Sequence, residues 1–133
     1  MKNDLREAAA AARLRAYAPY SGFLVGAAIR LGSGLVVTGC NVENLSYGLT
    51  MCAERVCVGK AIEQGENTFE ALAIVADTDS PIVPCGACRQ VLAEFAPALA
   101  ITSWTLSGKS QEFALAELFP LPKQGILEVP RGT

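Results

Sequence analysis

The chain contains no histidine, and that absence removes the imidazole base, the Ser-His-Asp triad and every histidine-ligated metal site at once. Long apolar runs are missing too. Met1 to Arg15 alternates charge with alanine, unlike a secretory signal or a membrane span. Charge of one sign is not concentrated anywhere: the eleven Lys and Arg are scattered and the formal net charge is −2, which leaves no basic track for a phosphate backbone. Charged residues make up only 18% of the chain and hydrophobic residues 51%, so disorder is excluded as well. What remains at 133 residues is expected to be a single domain, 1–133, able to bury a core without staples. A partner that is a small molecule, with no nucleic acid and no membrane, fits this composition. A cytoplasmic location fits it too, because free thiols persist there.

Thiols are the residues that stand out. Five cysteines, an odd number, leave at least one unpaired under any disulfide scheme. Three of them sit in two short clusters, Cys52-Ala53-Glu54 and Pro84-Cys85-Gly86-Ala87-Cys88. With histidine absent, a tetrahedral zinc site here must be built from sulfur, and three cysteines leave its fourth corner open for water, as a catalytic site requires. Cys85 and Cys88, three apart, are able to turn to one ion that Cys52 closes from a second helix. Glu54 stands too close to Cys52 to be an easy fourth ligand, yet near enough to move a proton to or from a water in that corner. Three thiolates also make the centre net negative, which weakens its pull on water, and Arg55 or Arg89 is expected to offset this by donating to a ligand sulfur.

Other readings of the same residues stay open at this level. Cys-Gly-Ala-Cys alone is equally a redox pair. Cys40 or Cys57 could complete a closed structural site, although Cys57 lies five residues along a helix from Cys52, and both read more simply as small buried apolar residues. Glu54 alone could be an ordinary carboxylate in a helix's first turn, and Phe23, Asn41 and Asn44 alone would be core and turn residues.

Periodicity and breakers predict the framework. A helix is expected from Asn3 or Asp4 to about Tyr17, stopped by Pro19. A hairpin follows, Val25–Leu31 and Leu35–Val42 across Gly32-Ser33-Gly34. An irregular stretch delivers the chain to Cys52, and a second helix then runs from Ala53 to Gln64 until Gly65 stops it. Ala71–Ala76 reads as a buried strand, Gly86–Phe95 as a helix and Ala98–Leu106 as a strand. The short connection after Leu106 requires an antiparallel return near Glu112–Leu115, with a short helix over Ala114–Leu118 as the alternative. Both cysteine clusters thereby fall at helix N-termini, where partial positive charge favours thiolate over thiol.

Zinc deaminases pair a His-x-Glu with a Pro-Cys-x-x-Cys and include an all-cysteine variant, which this chain resembles. The likeness extends to Tyr20-Ser21-Gly22-Phe23, Gly39-Cys40-Asn41-Val42-Glu43-Asn44, Ser46-Tyr47-Gly48-Leu49, Cys52-Ala53-Glu54-Arg55 and Pro84-Cys85-Gly86-Ala87-Cys88-Arg89-Gln90. In order and spacing these are similar to the small homotetrameric cytidine deaminases, over roughly residues 5 to 120. The resemblance implies an α/β fold of three layers, α/β/α, with a mixed sheet of about five strands and helices on both faces. It implies hydrolysis of cytidine and 2′-deoxycytidine to the uracil nucleosides and ammonia, a step of pyrimidine salvage, with one Zn2+ per chain. Carried over by position, Cys52, Cys85 and Cys88 hold the metal, Glu54 shuttles protons and Phe23 packs on the base. Asn41 and Glu43 bind the ribose hydroxyl, Ala53 touches the base through its backbone, and Tyr47 reaches a neighbouring subunit's site in a homotetramer. A nucleoside-antibiotic deaminase of the blasticidin S type and a non-catalytic zinc-stabilised binding module are the alternatives. One departure stands out. The family's Glu-Leu-Leu-Pro segment precedes a phenylalanine that closes over substrate, whereas here Glu117-Leu118-Phe119-Pro120 runs on as Leu121-Pro122-Lys123-Gln124, with Phe119 in a leucine's place.

Overall fold

A computed structural model of the protein describes residues 2–122. Its elements, in chain order, are α1 (Lys2–Arg13), β1 (Val25–Leu31), β2 (Val36–Cys40), a short 3₁₀ turn (Tyr47–Leu49), α2 (Ala53–Glu63), β3 (Phe69–Ala76), α3 (Gly86–Phe95), β4 (Ala100–Thr105), β5 (Ser110–Ala114) and α4 (Leu115–Leu118). The strands form one five-stranded sheet in the order β2-β1-β3-β4-β5. Only β3 and β4 are parallel, because α3 carries the chain back between them, and the remaining neighbours pair antiparallel.

Side-chain alternation along the strands builds two cores. On one face Ala27, Ile29, Leu72, Ile74 and Ile101 pack with Ala53, Cys57, Val58 and Ala61 of α2 and Leu92 and Ala93 of α3. On the other, Ala28, Ala73 and Val75 receive Leu5 and Ala9 of α1. The result is the expected mixed sheet between two helical layers. Burying each of the large aliphatics Ile29, Leu72, Ile74, Leu92 and Ile101 contributes about 1.5–3 kcal/mol, so the face carrying α2 and α3 is the stronger anchor.

Several boundaries differ from the sequence expectation for tertiary reasons. The first helix stops at Arg13 rather than Tyr17, because Tyr17 is drawn into pairing with the 41–43 segment. Its N–H donates to the Asn41 carbonyl at 3.0 Å and its own carbonyl accepts from the Glu43 N–H at 2.8 Å. The second hairpin strand ends at Cys40 rather than Val42, since Val42 bridges to Tyr17 and Met51 instead of continuing the sheet. β3 begins two residues earlier than Ala71, at Phe69, which pairs with Leu31 across a bulge. The chain after β4 returns antiparallel and then gives way to a helix at Leu115, so the strand and the short helix are both present in succession.

Candidate metal centre

Cys52 is the N-cap residue of α2 and Cys85 that of α3, both in extended backbone, with Cys88 in the first turn of α3. Because the sheet orders β2, β1 and β3 side by side and the two helices pack on the same face, their N-termini converge. The sulfurs of Cys52, Cys85 and Cys88 all lie within 4.8 Å of one another, and Cys52 and Cys85 are 3.7 Å apart. Metal–sulfur bonds of about 2.3 Å in a tetrahedron put ligand sulfurs about 3.8 Å apart, so the donor set and its spacing fit zinc. No further Cys, Asp or Glu among the described residues belongs to this group. All five cysteines are free thiols.

The other two cysteines stand elsewhere. Cys57 is fully buried against the Val37 carbonyl, and burial pushes its thiol above the ordinary range, which leaves it inert. Cys40 departs from the expectation of burial. It is half-buried, because it lines a cavity of about 330 Å³ between α1, β2 and α2, together with Arg15, Thr38, Val56 and Lys60.

Electrostatics separate the roles within the cluster. Cys52 is held down to about 5, first by the hydrogen bond from the Cys88 thiol and then by Arg55, while Cys88 is pushed up because its own S–H donates to the Cys52 thiolate and because it is buried. Arg55 donates through one guanidinium nitrogen to the Thr50 carbonyl at 3.0 Å and to the Cys52 sulfur at 3.6 Å. Its Nε is buried without a partner. Arg89 is committed differently, to the carbonyls of Pro84 and Leu118, so Arg55 is the cation placed on a sulfur. Glu54 is 4% exposed, and burial pushes its carboxyl up to about 7. A carboxyl poised near neutrality beside three thiols is able both to take and to give a proton.

The polar residues ahead of Cys52 form a second group. Asn41 and Glu43 are buried on one side of the chain while Val42 between them is exposed. The Asn41 side chain accepts from the Val25 N–H and donates to the Phe23 carbonyl, both at 2.8 Å. Glu43 accepts from the Tyr20 and Ser21 amides and from the Ser21 hydroxyl, and these bonds, that of the hydroxyl foremost, hold its carboxyl below the usual range. The turn of Tyr20–Phe23 is thus tied to Asn41 and Glu43, and the Val42–Met51 bridge carries both of them close to Cys52 along the chain. Phe23 is 40% and Tyr47 69% exposed, the Tyr47 ring standing edge-on to Tyr20 at 6.3 Å. Ala53 is fully buried. At the other end Phe119 packs against the core while Leu121 is exposed. Lys123 and Gln124, where the closing aromatic fails to appear, lie outside the described residues.

Sequence reasoning missed the parts played by Ser21 and Thr50. The placement of a serine two residues before Phe23 is a signal for a local turn bond, and the Ser21 hydroxyl does accept from the Phe23 N–H at 3.0 Å. Thr50 acts through its carbonyl on Arg55, and a backbone acceptor leaves no mark in residue type.

A sequence model of the cytidine and deoxycytidylate deaminase zinc-binding region matches residues 1–103. The chain belongs to this family. A cytidine deaminase of Halalkalibacterium halodurans is 51% identical over 110 residues, covering 82% of this chain and 83% of that protein. One of Mycobacterium tuberculosis is 53% identical over 92 residues, covering 69% of each. Among solved structures, the cytidine deaminase of Burkholderia pseudomallei superposes with a TM-score of 0.87 at 46% identity, over 90% of this chain and 97% of that one. A blasticidin-S deaminase of Bacillus cereus is more distant, at 30% identity over 105 residues, 73% of this chain and 74% of that protein. The deaminase family and the three-sulfur geometry agree on the metal.

Proposed function

We propose that the protein hydrolyses cytidine and 2′-deoxycytidine to uridine and 2′-deoxyuridine with release of ammonia. The observation that carries this reading is the open group of three sulfurs with the buried Glu54 carboxyl beside it. Cys52, Cys85 and Cys88 hold one zinc ion, which when bound supplies Lewis acidity that makes water a nucleophile at neutral pH. Glu54 takes a proton from the attacking water and gives it to N3 of the pyrimidine, so that C4 accepts the oxygen. It then carries the second proton to the exocyclic amine, and the C4–N bond breaks as ammonia leaves. Arg55 holds its positive guanidinium against the Cys52 thiolate through both steps and offsets part of its negative charge.

Substrate is held by the group before Cys52. Phe23 offers an aromatic face to the flat base, the Ala53 backbone contacts the base from the α2 N-terminus, and Asn41 and Glu43 supply donor and acceptor to a ribose hydroxyl. Glu43 Oε1 accepts from both turn amides, whereas Oε2 accepts only from the Ser21 hydroxyl and keeps a lone-pair site for a ribose hydroxyl. Tyr47 serves a neighbouring subunit's site in a homotetramer, and the exposure of Leu45 (81%), Tyr47 (69%) and Leu49 (67%) on one short segment supports an assembly that covers them. The whole chain acts as one domain, in the cytoplasm.

The test is ammonia release by purified protein from cytidine and 2′-deoxycytidine, with cytosine, AMP and blasticidin S as comparison substrates. Turnover of both nucleosides and not of cytosine or AMP is the expected result. Preferential turnover of blasticidin S would move the reading to that sister activity, and stoichiometric zinc with no turnover at all would leave a binding module.

A further inference from the structure

Gly39 sits in β2 with its Cα facing the first turn of α2. A Cβ built there would stand 2.5 Å from the Ala53 carbonyl oxygen, 2.9 Å from the Cys57 backbone nitrogen and 3.0 Å from the Cys57 sulfur. The two nearest atoms are backbone atoms one helical turn apart, so no rotamer change relieves the contact. We propose that Gly39 is a positioning residue of the metal centre: lacking a Cβ, it lets the opening turn of α2 rest directly on the sheet and so fixes Cys52 and Glu54 against Cys85 and Cys88. This rests on the deaminase reading for its effect on turnover and on the sulfur geometry alone for its effect on metal.

Ala53 lies between the residue that supplies a sulfur and the residue that supplies the proton carrier, so whatever moves its carbonyl moves both. Lys60, two turns along α2, donates to the Thr38 carbonyl at 2.6 Å and ties that part of the helix to β2. A methyl at Gly39 therefore acts as a fulcrum ahead of a fixed point. To reach an ordinary contact of 3.4 Å from 2.5 Å, the opening turn must shift by about 1 Å. Cys85 and Cys88 sit at the start of α3, which contributes none of the three atoms nearest a Cβ at Gly39, so the push falls on α2 and changes the spacing between Cys52 and the other two sulfurs. Misplacement on this scale costs about 10²-fold in rate even when the reacting groups are intact.

Gly39→Ala is compared with wild type and with Leu5→Ala, which removes core packing under α1 on the opposite face of the sheet. Zinc affinity by chelator competition, the visible spectrum of the cobalt-substituted protein, kcat and KM on cytidine, and Tm are read for all three. In folded Gly39→Ala, zinc binding is expected to weaken at least about tenfold, the cobalt spectrum to change and kcat to fall about 100-fold, with KM moved far less. Leu5→Ala is expected to lower Tm while retaining wild-type zinc affinity and spectrum. Should Gly39→Ala fail to fold, Cys57→Val presses on the same contact from the helix side and is expected to weaken zinc in the same direction by a smaller factor. Wild-type zinc affinity and spectrum in folded Gly39→Ala, or in Cys57→Val when that variant decides, overturn the proposal. A wild-type protein that binds zinc but leaves cytidine untouched defeats the functional reading while the affinity and spectral comparisons still judge Gly39.

Discussion

The segment from Asn41 to Arg55 is finished in two different ways. At its C-terminal end Cys52, Glu54 and Arg55 find their partners within the chain: the Cys85 and Cys88 sulfurs, the core under α2 and the Thr50 carbonyl. Midway, Leu45, Tyr47 and Leu49 turn large apolar groups to solvent. The difference teaches that one chain brings the three sulfurs and the buried carboxyl together by itself, whereas the exposed segment is what the proposed homotetramer would have to cover. Variants at the two regions should therefore fail in different ways.

The largest effect is expected at the sulfurs. Cys88→Ala removes a buried donor, and the protein should lose its one zinc per chain and all turnover, as metal analysis after gel filtration will report. Glu54→Gln keeps the three donors, so zinc content should stay at wild type while kcat falls about 10²- to 10⁴-fold, the range a positioned proton carrier supplies. If zinc and kcat fall together in Glu54→Gln, the separation of holding from shuttling breaks down.

Next comes a pH signature of the metal-free protein. Burial raises the Glu54 carboxyl from 4.5 to about 7. Below pH 4.5 both folded and unfolded chains keep the proton. Between 4.5 and 7 only the unfolded chain gives it up, so this contribution to stability declines as pH rises, by about 3 kcal/mol in total. Cys52, lowered from 9 to about 5, works in the opposite direction over pH 5 to 9. The difference in urea stability between wild type and Glu54→Gln, measured with chelator at pH 4.5 and 7.5, isolates the carboxyl, and the variant should gain on wild type as pH rises. The smallest effect belongs to the exposed segment. Tyr47→Ala should leave zinc content intact and raise KM roughly tenfold or loosen the assembly, a loss comparable to one aromatic contact. Light scattering alongside kinetics would show which.

Most of the framework was readable because local signals agreed with the global fold. Gly86–Phe95 and Val25–Leu31 run where breakers and apolar runs place them. The exceptions are instructive. Alanine-rich propensity carries the first helix on to Tyr17, but pairing with Asn41 and Glu43 claims that residue. Cys40 and Cys57 look alike in sequence, and only tertiary packing distinguishes the buried one from the one that lines a cavity. Arg55 and Arg89 likewise each stand one residue beyond a cysteine motif. The carbonyls of Pro84 and Leu118 claim Arg89, and no residue-level pattern predicts backbone acceptors. The contact at Gly39 is invisible for the same reason, since its partners are main-chain atoms of another element.

X-ray absorption at the zinc edge of the purified protein tests the central claim most directly. Three sulfurs at about 2.3 Å and one lighter donor are the expected shell. Four sulfurs, or a protein that holds no zinc while Cys85 and Cys88 cycle through a disulfide, would contradict it.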